Sequence, residues 1–167
     1  LIEYNKELYP SLALATVKAY LLTEKISLDL RDLKKSKIFL GITLGDTYIP
    51  TDLAGNILIT YGGPAFSFPY ISATDVLHNK LAPQTVEGKI VIIGSSAVGI
   101  GDLHSTPLQS VGYPGTEVHA NIIASILNKN IISSPLWLVG IERIVIVIIG
   151  LIATILAAYL PALGLIL

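Results

Sequence analysis

The stretch G-K-I-V-I-I-G-S-S-A-V-G-I-G-D, Gly88 to Asp102, decides how the part of this chain outside its apolar tail is read. From Ile90 to Ile93 every position is apolar and β-branched, the pattern of a central strand covered on both faces. The glycine-rich turn that follows places Ser95, Ser96 and Asp102 at that strand's carboxyl end, where ligands sit in open α/β sheets.

The turn excludes more than it assigns. Gly94 and Gly99 have the glycine spacing of a phosphate loop, but Ile100 stands where the lysine should be and Gly101 where the magnesium-holding Ser or Thr should be. Glycines at 94, 99 and 101 do not fit the dinucleotide fingerprint either. What survives is a small-residue turn whose N–H groups could form an anion nest, or a tight turn with no ligand. Ser95 or Ser96 with His104 or His119 and Asp102 would supply the residue types of a hydrolase. The nucleophile elbow is absent, because Ala97 and Val98 occupy the positions that need glycine.

Upstream, Pro10 to Leu22 reads as a helix with Ala13, Leu14, Val17, Tyr20 and Leu21 on one side. Ile26 to Lys37 reads as connecting structure with a short helical turn. Ile38 to Leu40, Thr47 to Ile49 and Ile57 to Tyr61 read as strands, with a hairpin turn at Asp52 to Asn56 between the last two. Ser72 and Asp75 approximate a capping box, which makes Asp75 a helix-end acid ahead of any catalytic role.

Downstream, Thr106 to Gly115 reads as a Pro/Gly-rich loop, and Thr116 to Asn128 as a helix. Val118, His119, Ile122, Ile123, Ile126 and Leu127 share one half of its wheel, and Glu117 points the other way as a first-turn acid. His104, Glu117 and His119 are the only conceivable metal ligands, and the opposed directions of the last two argue against a metal site. His119 in an apolar arc is either a core residue bonded to a backbone carbonyl or to Asp102, or the wall or proton-sensitive latch of a pocket. Strand, loop, helix in repeated order predicts a layered α/β domain with a mixed, partly parallel sheet.

Composition points to a membrane. The chain is 52% hydrophobic with a mean hydropathy of +0.69, too apolar for a wholly soluble protein. Ile144 to Leu167 carries no charge and is long enough to span a bilayer core of about 30 Å, with Trp137 as an interfacial anchor and Pro161 ending the first span. The expected organisation is therefore a folded domain over 1–135 and a transmembrane segment over 136–167. A net charge of −1 gives no sign of nucleic acid, and the absence of cysteine excludes disulfides and thiolate chemistry. The chain reads as a fragment of a longer polypeptide.

The ordered pieces Y-P-S-L-A-L (Tyr9 to Leu14), I-T-Y-G-G-P (Ile59 to Pro64), F-P-Y-I-S-A-T-D-V-L (Phe68 to Leu77), G-K-I-V-I-I-G-S-S-A (Gly88 to Ala97), D-L-H-S-T-P (Asp102 to Pro107) and P-G-T-E-V-H-A-N (Pro114 to Asn121) resemble the second type of CHASE domain. The resemblance implies an extracytoplasmic sensory module at the bacterial cell membrane. In that family membrane helices and a cytoplasmic nucleotide cyclase, histidine kinase or Ser/Thr kinase follow. It supplies no catalytic residues, metal or cofactor.

The expected function is non-catalytic sensing of a small-molecule or ionic signal by a homodimer in a lipid bilayer. Tyr61, Ser95, Ser96, Asp102 and His119 are the candidate ligand contacts. The alternatives are a membrane-anchored serine hydrolase, recognised by a serine oxygen in reach of a histidine nitrogen, and a dimerisation scaffold without a polar cavity.

Overall fold

A computed structural model of the chain describes residues 1–33, 36–95, 102–133 and 137–159. Strands β1 (Ile2–Tyr4) and β2 (Glu7–Tyr9) form an antiparallel hairpin, with Asn5 and Lys6 both at positive φ as a two-residue turn requires. Helix α1 (Leu12–Tyr20) follows from Ser11 and buries Ala13, Leu14 and Val17, while Tyr20 and Leu21, expected on the same side, are exposed. The helix stops as Leu22 takes a left-handed backbone.

The residues expected to be a connection with a helical turn instead form a strand, β3 (Ile26–Leu33). The reason is visible in I-S-L-D-L-R-D-L, an alternation of period two. It pairs antiparallel with β4 (Ser36–Leu44), which pairs antiparallel with β5 (Thr47–Pro50), in the order β3-β4-β5. Ile42 and Ile49 face one another across β4 and β5, and both are buried with Leu44.

Ile57 to Tyr61 does not form the strand expected there; Leu58 makes one isolated bridge to Ile132. The Asp52 to Asn56 turn is real but is held by the Asp52 carboxylate, which accepts from the N–H groups of Ala54 and Asn56 at 2.9 and 2.8 Å. Helix α2 (Ala73–Leu77) is capped by Ser72, whose hydroxyl accepts from the Thr74 N–H. Asp75 sits in its first turn and pairs with Lys80 at 3.1 Å.

The presumed central strand is the main correction. Ile90 to Ile93 is extended without a strand partner among the described residues. Ile90 and Ile92 pack on the core, whereas Ile93 is 95% exposed. Residues 96–101 lie outside the described residues, so most of the glycine turn does too. The loop expected at Thr106 to Gly115 is a hairpin instead. Strands β6 (Leu103–Thr106) and β7 (Gln109–Pro114) pair antiparallel, with a register shift after His104 and Gly112 at positive φ accommodating its glycine. The partly parallel sheet is not found: every pairing between named strands among the described residues is antiparallel. The α/β class stands, built from small antiparallel sheets and helices.

Helix α3 (Gly115–Leu127) lies at the centre of this arrangement, and none of its residues is exposed. Its Ile123 and Ile126 join Ala13, Leu14 and Val17 of α1 and Ile42, Leu44 and Ile49 of the three-stranded sheet in one apolar core. The organising element is thus α3, where the sequence pointed to Gly88 to Asp102.

The chain divides into two compact units, Leu1–Ser133 and Ser134–Leu167. The second contains helix α4 (Trp137–Tyr159), whose 23 residues extend about 34 Å at 1.5 Å per residue. Its stretch Gly140–Ala157 has a mean hydropathy of 2.3 and is not buried within the protein, so its length and composition suit a bilayer crossing. Pro161 lies outside the described residues.

Candidate functional site

The β6–β7 hairpin fixes the site because its register sets Leu103 opposite Pro114 and so brings Asp102 beside Gly115, the first residue of α3. The Gly115 N–H donates to the Asp102 carbonyl at 2.9 Å. The Asp102 carboxylate lies over the same residue, in the space a side chain there would fill. Glycine is required by this close approach, and the acid meets the positive end of the helix. Gly94 is required in the same way, since a Cβ there would overlap the Thr116 side chain. That close approach explains the first glycine of the turn without any phosphate.

Beside this contact is a cavity of about 340 Å³, lined by Tyr61, Asp102 and His119 together with His104, Ser105, Gly115 and Val118. Three of the residues chosen from sequence therefore meet: Tyr61, Asp102 and His119. Ser95 is partly buried and is not among the lining residues. Ser96 lies outside the described residues.

Asp102 does not bond His119. Its carboxylate Oδ1 is 3.1 Å from His104 Nε2, and both side chains are about half exposed (50% and 57%). The two residues sit two apart at the start of an extended strand and so point to one side. His119 lines the cavity, and its Nδ1 is buried out of reach of solvent without a hydrogen-bond partner. Tyr61 stands edge-on to Tyr113, ring centres 5.3 Å apart at 79°. His78 Nδ1 is taken by the Thr74 carbonyl at 2.8 Å. No group of three His, Asp or Glu among the described residues is arranged to hold a metal.

Glu117 was misread. It is 2% exposed, and its carboxylate accepts from the N–H groups of Phe66, Ser67 and Phe68 at 2.7, 2.8 and 3.2 Å and from the Tyr70 hydroxyl at 3.1 Å. Phe66 is held there at positive φ, a strained conformation for an aromatic residue that the buried carboxylate offsets. One turn on, Asn121 accepts the Gly62 N–H at 2.9 Å and donates to the Tyr113 hydroxyl at 2.8 Å. A turn further, Ser125 donates to the Thr60 carbonyl at 3.3 Å and the Asn121 carbonyl at 2.7 Å. Glu117, Asn121 and Ser125 thus make a ladder at spacing four that ties residues 60–70 to α3.

The ladder's environment shows in the phenols. Burial, the bond to Glu117 and the Glu117 charge push Tyr70 up to about 12. Burial also raises Tyr113, against the opposing bond from Asn121.

The CHASE2 domain model matches residues 1–157, and the chain belongs to this family of extracytoplasmic sensory domains. No curated protein and no solved structure matches the chain.

Proposed function

We propose that the chain is the extracytoplasmic sensory part of a membrane-bound receptor, with the cavity at the start of α3 as its ligand site and α4 as a transmembrane helix. The receptor works as a homodimer and drives a cytoplasmic cyclase or protein kinase. The observation that carries the site is the convergence of Tyr61, Asp102 and His119 on one cavity. Its volume falls at the low end of the range of about 300–1,000 Å³ typical of small-molecule sites. A ligand signals only if it binds one arrangement of the site better than another. The ladder of Glu117, Asn121 and Ser125 supports such a two-state element, because loop 60–70 is held to α3 by polar bonds that can be exchanged for water.

The test is to fill the cavity. In the full receptor in native membranes, Val118→Trp should abolish the response of the output domain to its signal while leaving membrane insertion and the thermal midpoint of the sensor near wild type. An unchanged response would reject the cavity as the sensory site.

A further inference from the structure

We infer that this cavity is built for a small protonated amine. The inference rests on the sensory reading of the cavity and names its ligand class. Among the described lining residues Asp102 supplies the only fixed charge, and none is Lys or Arg. The amino-terminal end of α3 would ordinarily attract an anion. Here the Asp102 carboxylate already lies over Gly115 at that end, so an incoming anion meets a like charge where it would otherwise be drawn in.

The remaining groups suit an ammonium. The His119 ring forms part of the same wall and adds no positive charge that is fixed. Tyr61, packed at a steep angle on Tyr113, lines the same cavity, and an aromatic ring is a wall that tolerates a cation. Val118 gives an alkyl chain an apolar contact. The Asp102–His104 pair stands in the way, but with both side chains half exposed it is a weak one that an ammonium can displace. A divalent metal is the competing cation, and the described donors do not come together in the threes that would hold it.

The experiment uses the membrane-inserted chain in lipid nanodiscs and titrates it calorimetrically with n-butylammonium, with butyrate of the same shape, and with zinc. Butylammonium should bind saturably and butyrate should not. Asp102→Asn should weaken the amine by about tenfold, the effect of losing a charge partner. His104→Ala should tighten it by about threefold by releasing Asp102, a gain that a merely structural role for His104 would not give. That second variant keeps the test decisive if Asp102→Asn fails to fold. Absence of amine binding, preference for butyrate, zinc binding that depends on Asp102, or unaltered amine affinity in both variants would each overturn the inference. Butyrate or zinc in the cavity would leave the sensory reading intact. An unaltered output in Val118→Trp, with amine binding wherever it falls, would remove the sensory reading instead.

Discussion

The two buried sides of α3 are held by different physics. On one, Ile123 and Ile126 pack with α1 and the three-stranded sheet, and the contact is nondirectional and dry. On the other, Glu117, Asn121 and Ser125 reach across to residues 60–70 through hydrogen bonds at defined distances. The apolar side resists opening because water cannot replace what is lost. The polar side is held by directional bonds, four of them to the buried Glu117 carboxylate, and each depends on the position of a particular donor.

The sharpest way to break this comparison is on the apolar side. Ile126→Ala leaves a cavity at the centre of the core and should cost about 2–5 kcal/mol in urea unfolding, with loss of cooperativity throughout the first unit. Glu117→Ala should cost less globally, about 2 kcal/mol, because the freed donors of residues 66–68 can turn to water. Its signature is local: amide exchange of Phe66, Ser67 and Phe68 should accelerate strongly while Ile42 and Leu44 stay protected. Equal acceleration in both places would erase the distinction between the two sides.

Gly115→Ala places a methyl group against the Asp102 carboxylate and should cost about 1–3 kcal/mol while shifting the His104 and His119 ring resonances. Titration of Tyr70 refines the picture further. Its folded value is raised to about 12 from 10.0, so its contribution is complete below pH 10 and is lost as pH rises from there through about 12. Tyrosinate absorbance should show this late phenol, and Glu117→Gln should bring it down. The smallest effect concerns Asp52, whose carboxyl is held below the ordinary range by the bonds from Asn56. Its stabilisation is present above the unfolded value and fades as pH falls through the folded one, a change visible in its own carboxyl shift.

Parts of this were readable in the residues. Helices α1 and α3 follow from apolar spacing, and β5 follows from a short β-rich run between turns. The membrane-length helix follows from uninterrupted hydropathy. The strand β3 was also legible, through its alternation, but the many polar residues of Ile26 to Leu33 obscured it. The Gly88 to Asp102 stretch misled because four apolar β-branched residues say that a segment prefers extension and burial, not which strand it pairs with. Three of the candidate contacts come together because Tyr61 lies in the loop bonded to α3, Asp102 just ahead of β6 and His119 on α3 itself. His104 was considered only as a base or metal ligand, although its offset of two from Asp102 places both on one side of a strand. Glu117 is legible as a first-turn acid, but a wheel with one apolar half does not say whether the other half is exposed. The polar residues at 117, 121 and 125 were the available signal that it is not.

The sequence by itself determined the α/β class, the apolar span and the family pattern, because these depend on composition and on periodicities that act over a few residues. Only the tertiary structure decided that Asp102 covers the start of α3, that His119 is left without a partner, and that Glu117 grips a loop about fifty residues away in the chain. Those outcomes depend on which groups a folded backbone brings within about 3 Å of one another, and hydrogen bonds and close approaches of that range are fixed by packing rather than by local preference.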